Sequence, residues 1–180
     1  MGHTLSDTIA LLEPFPASLN ALLRDLPETW THRSEGGKTW SAFDIIGHLN
    51  HLERHHWMAR VRTILMSGES RPFEPVDRWA QQRHSEGKSL PSLLDNFMVL
   101  RAASLSELRA LDLQPEQLDL RGQHPAFGPV TLRQVLATWS THDMTHLHQL
   151  SRLLAHRYRD EVGAWGQYLG VLHCEGHGGE

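Results

Sequence analysis

The sequence predicts an all-α fold, a four-helix bundle with long crossover connections, on three observations. Apolar residues recur at helical spacing in four long segments, and no segment alternates as a strand does. The joining segments are long and rich in Pro and Gly, unlike the short turns of a simple up-down-up-down bundle. No repeat at a solenoid period appears. With 180 residues, 39% hydrophobic and 21% charged, the chain is expected to form a single domain over 1–180 around a real core, with a flexible tail at about 173–180.

Ile9, Leu12, Leu19, Leu22, Leu23 and Leu26 mark the first helix, Leu5 to Leu26. Pro14 and Pro16 should kink it, so that it holds mainly from Ala17 until Pro27 closes it. A polar loop follows through Gly36 and Gly37. Ser41, with Asp44 three residues on, resembles a capping box and starts a second helix from about Ala42 to Met66. Gly68, Pro72 and Pro75 then break the pattern, leaving Val76 to His84 as an irregular helical turn.

The third helix runs from Leu90 or Pro91 to about Leu111, with Leu93, Leu94, Phe97, Leu100, Leu105 and Leu108 as its apolar stripe and Pro91 in the first turn. The segment from Asp112 to Pro129, with Pro115, Gly122, Pro125 and Gly128, is expected to be a long loop. Thr131 caps the fourth helix, which reaches His156 through Leu132, Val135, Leu136, Trp139, His142, His146, Leu150, Leu153 and Leu154. Val162 to Leu169 suggests a short terminal helix.

Composition narrows the functional classes. A formal charge of −4, a pI near 6.4 and only two lysines, Lys38 and Lys88, argue against a nucleic-acid partner, which needs concentrated positive charge. No apolar run approaches the ~20 residues of a membrane span, and the N-terminus lacks the basic start and apolar centre of a signal peptide. A cytoplasmic location with no membrane partner is expected. The lone Cys174 excludes an internal disulfide framework.

Histidine is the outlier, at fourteen residues. His142 and His146 stand four apart in THDMTHLHQ, within about 40° of each other on the helix and roughly 6 Å apart along its axis, so both can grip one ion. A lone HxxxH is common by chance. Here it coincides with an apolar stripe, and His48 lies in the corresponding sector of the second helix beside Ile45 and Leu52. Three histidines from two facing helices would leave a coordination position open, which in zinc enzymes holds water or substrate.

His51 is the rival third ligand, three residues after His48. His55 and His56 are expected to be solvated or interfacial, and His148, about 200° from His146, to face outward. Gln149 suits a supporting hydrogen bond to a ligating imidazole. Asp143 could do the same, although its rotation of about 100° from His142 favours an exposed carboxylate. Glu53 would act as a base only if turned toward the open position. His173, Cys174 and His177 carry metal-capable atoms on a Gly-rich tail where adventitious binding is the plainer reading. Arg78, Arg83 and Arg121 could recognise an acidic group, but loop arginines are usually solvated.

WSAFDIIGHLNHLE on the second helix and FGPVTLRQVLATWSTHDMTHLHQL on the fourth together resemble the DinB-like (DinB/YfiT-like) superfamily of metalloenzymes. The resemblance covers nearly the whole chain and rests on Trp-Ser before GHL, on FGxVTL leading into the fourth helix, and on HDxxHxxQ. It implies a four-helix bundle of unusual connection order, a divalent-metal site at His48, His142 and His146, and frequent dimer formation. Some members resemble thiol-dependent transferases or isomerases that use low-molecular-weight bacterial thiols, and a metal could hold a thiolate for attack on an electrophile.

The expected function is therefore that of a divalent-metal-dependent enzyme, with zinc or nickel foremost. Its small-molecule partner would be a hydrolysable substrate, or an electrophile together with a low-molecular-weight thiol. The alternatives are a non-catalytic metal or small-ligand binding protein associated with stress, and a histidine-rich scaffold that senses pH. No residue is assigned a catalytic role beyond metal binding.

Overall fold

Prolines 14 and 16 divide the first predicted helix into two in the computed structural model, which describes residues 4–37, 39–77 and 80–174. Helix α1 spans Leu5–Leu12 and opens on a Thr4–Asp7 capping box; α2 spans Phe15–Leu23. Pro14 fits as the residue before α2, where its missing N–H is no loss. A single turn, α3, at Glu28–Thr31 follows Pro27.

The second predicted helix is also two. Helix α4 spans Ala42–His55 and carries the expected Ser41–Asp44 capping box, while α5 spans Trp57–Ser67. The break falls at His56, whose φ of −118° departs from helical geometry, although its backbone N–H still bonds to Leu52 and its carbonyl to Arg60. Trp57, Met58, Val61 and Ile64 remain buried beyond it. Helix α6 spans Ala80–Ser85, within the irregular segment expected between Val76 and His84.

The third long helix, α7, spans Leu90–Ala110 and has Pro91 in its first turn. The Asp112–Pro129 segment differs from a plain loop. It holds a 3₁₀ turn at Pro115–Asp119 and then a hairpin of β1, Arg121–His124, and β2, Gly128–Thr131. Arg121 pairs with Thr131 and His124 with Gly128. Gly122 has a steric reason to be glycine, because a Cβ there would lie 2.6 Å from Ile64 and 2.9 Å from Phe73. Helix α8, Leu132–His156, begins on a Thr131–Gln134 capping box. Two 3₁₀ turns, Gly163–Tyr168 and Gly170–Leu172, stand where a terminal helix was expected. Residues 175–180 of the expected tail lie outside the described residues.

The bundle is thus α1 with α2, α4 with α5, α7, and α8. Helix α4 packs on α6, α7 and α8, while α1 packs on α8 and α2 on α7. The apolar interior divides in two. One half holds Leu12, Leu52, Trp57 and Trp139; the other holds Phe15, Ile45, Leu49, Phe97 and Leu150. Among the described residues no helix is long and apolar enough to cross a membrane.

Candidate metal centre

Two features of α4 bring its histidine into place. Ile45, Ile46 and Leu49 are buried in the core, which turns His48 toward α8. Gly47 lets α6 approach, since a Cβ at that position would sit 2.4 Å from Ser85 Oγ. Helix α6 therefore lies against α4, and Gln81 reaches His48.

On α8, His142 and His146 occupy successive turns facing α4. His48 Nε2 lies 3.2 Å from His142 Nε2, and His146 Nε2 lies 3.1 Å from the same atom. His48, rather than its rival His51, joins the pair: His48, His142 and His146 form one of two groups among the described residues whose ligand atoms lie within 4.8 Å of one another.

The outer nitrogens explain the orientation of the inner ones. Gln81 Oε1 lies 2.7 Å from His48 Nδ1, and Gln149 Oε1 lies 2.8 Å from His146 Nδ1. A carboxamide oxygen only accepts, so each contact assigns the ring proton to Nδ1 and leaves Nε2 as a bare lone pair. Lone pairs at about 3 Å repel unless a proton or a cation lies between them. Nitrogens sharing one tetrahedral zinc are about 3.3 Å apart, so the separations present here suit a divalent ion. Gln81 was not anticipated from the sequence, because its role depends on how α6 docks.

Burial first, and then the neighbouring His146, pushes the His48 pKa down to about 3 despite the Gln81 hydrogen bond. Burial, then His146 and His48, pushes His142 down to about 2. Both are consequently neutral at physiological pH, the state a metal ligand requires. Trp40 covers His48, with ring centroids 4.8 Å apart, and stacks toward His146 at 6.2 Å, and Trp57 and His142 meet in a T-shaped contact with centroids 5.3 Å apart. His142 also lines a groove with Gln134, Thr138, Thr141 and Thr145.

Asp143 and Glu53 correct the sequence-based expectation. Neither is exposed and neither reaches the histidines; both bind Arg101, which is 1% exposed. Arg101 Nε and Nη2 donate to Glu53 at 3.0 Å each. Nη1 and Nη2 donate to Asp143 at 2.6 and 3.2 Å, and Nη1 also donates to the Leu12 carbonyl at 3.0 Å. All five guanidinium protons are thereby used. Burial alone would lower the Arg101 pKa, but the two carboxylates hold it raised. Burial pushes Asp143 up to about 6 in spite of Arg101. The one sequence signal for this triad is an arginine at position 101 in the Phe97–Leu105–Leu108 stripe.

The remaining candidates fall elsewhere. His51 joins His55 and His84 in a second group. His55 is exposed, as expected, but His56 is buried. His148 is exposed and contacts Cys174 Sγ at 3.2 Å, and His173 donates to the Gly166 carbonyl. Arg83 pairs with Asp77 and Arg121 with Glu69; both are exposed as expected, but they lie on α6 and β1 rather than in loops. Arg78 and His177 lie outside the described residues.

Comparison with known proteins gives the family context. A family model of the DinB superfamily matches residues 11–150. Among solved structures, the fold is similar to that of YfiT from Bacillus subtilis, with a TM-score of 0.69 and 20% sequence identity over 86% of this chain and 91% of that one. YfiT is described as a probable metal-dependent hydrolase with an unusual four-helix bundle topology. No curated protein matches the sequence.

Proposed function

The chain belongs to the DinB superfamily, and from that premise we propose that it is a divalent-metal-dependent hydrolase whose ion is held by His48, His142 and His146. The observation that carries this reading is the meeting of three Nε2 atoms, two of them left unprotonated because the Nδ1–H of each ring donates to Gln81 or Gln149. An imidazole-only set suits zinc or nickel. A bound ion would supply Lewis acidity, lowering the pKa of a water or thiol that reaches its open side.

The protein's own residues would hold and shape the site. Gln81 and Gln149 fix the two rings through their Nδ1 protons. Trp40 and Trp57 limit water around the imidazoles, and the threonine-lined groove beside His142 offers a small molecule its approach. Glu53 is committed to Arg101 and does not serve as a base at this site.

Metal analysis of untagged protein, before and after reconstitution, tests the ligand set. The expected result is an ion lost on His48→Ala or on His142→Ala/His146→Ala; full retention at this site in those variants overturns the proposal. Turnover of activated esters and amides by the loaded protein in water is the expected activity. Turnover of electrophiles only with a low-molecular-weight thiol would make it a transferase instead, and a tightly held ion without either activity would make it a binding protein.

A further inference from the structure

We infer that His51, His55 and His84 form a second transition-metal site, distinct from the first, that ties α6 to α4. Their candidate nitrogens all lie within 4.8 Å of one another, and the ring centroids are 5.0 Å apart for His51 and His55 and 5.5 Å apart for each with His84. A single tetrahedral ion needs nitrogens about 3.3 Å apart. His55 and His84 are exposed, so rotation of their side chains can close that gap.

His51 gives the second, independent reason. It is only 6% exposed, yet both of its ring nitrogens are buried without a hydrogen-bond partner. A buried polar group in that state costs about 1–3 kcal/mol, and ligation of an ion would offset it. Burial, followed by the neighbouring His55 and His84, lowers its pKa, which favours the neutral ligand form. Three imidazoles and no thiolate suit a borderline divalent ion such as zinc, nickel or copper.

The surrounding charge is net positive and only partly offset, which three neutral imidazoles must outweigh. Arg54 and Lys88 line the same cavity, but Arg54 is directed to Asn96. Arg83 is paired with Asp77 at 2.6 Å, and Asp77 itself favours positive charge at His51. The placement has a structural consequence. Helix α6 carries Gln81, which orients His48, and His84 one turn later; an ion on His84, His51 and His55 would hold that short helix in the position from which Gln81 acts.

The test is zinc stoichiometry on untagged full-length protein after reconstitution and gel filtration. Wild type is expected to retain two equivalents, and His55→Ala/His84→Ala, which alters only exposed side chains, to retain one. His142→Ala/His146→Ala should also retain one, so this site reads independently of the proposed function. A control, His148→Ala/His173→Ala, should retain two. A count in His55→Ala/His84→Ala equal to that of wild type would overturn the inference, whereas a wild-type ion that survives His142→Ala/His146→Ala and is lost in His55→Ala/His84→Ala would uphold it even if the first centre held none.

Discussion

Gln81 accepts a hydrogen bond from His48 across a 2.7 Å contact, although 33 residues separate them in the chain. This contact sets the tautomer of the only α4 histidine in the candidate centre, and Gln149 does the same for His146 from one turn along α8. Loss of such an outer partner typically costs 10- to 100-fold in metal affinity. Gln81→Leu and Gln149→Leu should each weaken zinc binding by about that factor, with the fold unchanged. Competition with a chromophoric chelator, in the His55→Ala/His84→Ala background so that one site reports, measures it. Affinity within twofold of the parent would contradict the tautomer argument.

Arg101 joins the two halves of the core. It contacts Phe97 and Phe15 from one and Trp139 from the other, while bonding carboxylates on α4 and α8. Arg101→Met would leave Glu53 and Asp143 buried without their cation. Breaking a buried pair in this way costs about 3–5 kcal/mol, a large share of a typical domain's stability. Replacing all three members with apolar residues of similar volume should recover much of that loss. Urea unfolding of the two variants decides the matter, and equal midpoints would refute the assignment.

The contrast between this triad and the histidines shows what a linear sequence can reveal. His142 and His146 lie on one helix, so their geometry follows from spacing, and His48 stood out as an imidazole beside Ile45 and Leu52 in a sector otherwise apolar. Ser41–Asp44 and Thr131 were readable as caps because capping is local. Arg101, Glu53 and Asp143 sit on three helices, and pairing among three helices has no local signature. The break at His56 was hidden because Trp57, Met58, Val61 and Ile64 continue the apolar pattern without a Pro or Gly. The hairpin was hidden for the opposite reason: Gly122, Gly128 and Pro129 disfavour strands, and the pairing is fixed by packing of Gly122 on Ile64 and Phe73.

Metal-free protein should lose stability on acidification. His48 and His142 are held down to about 3 and about 2, and buried His56 to about 4, by burial first and then by Arg60. In the unfolded chain these groups titrate near 6.5. Their contribution is fully present above that value and is lost as pH falls toward the folded values, because the unfolded state takes up protons first. Asp143 acts in the opposite sense: raised to about 6 from 3.8, it favours the folded state at low pH and loses that contribution as pH rises through 6. Three histidines against one aspartate leave a net decline. Denaturant midpoints of the metal-free protein should fall from pH 7.5 to 5, and a flat profile would contradict the burial of neutral imidazoles.

Metal removal should act on the fold as well as on activity, because the ligands of the candidate centre come from α4 and α8 and an ion would cross-link them. A ligand at 100 times its dissociation constant stabilises the folded state by about 2.7 kcal/mol. For a chain of this size that corresponds to a rise of roughly 5–11 °C in Tm. In His55→Ala/His84→Ala, where only the first site remains, zinc should raise Tm by this amount and EDTA should reverse it. Adding His48→Ala to that variant should abolish the response, since two ligands from α8 alone cannot bridge the helices. Calorimetry across a zinc titration measures both. An undiminished rise in the His48→Ala background would place the stabilising ion elsewhere and remove His48 from the ligand set.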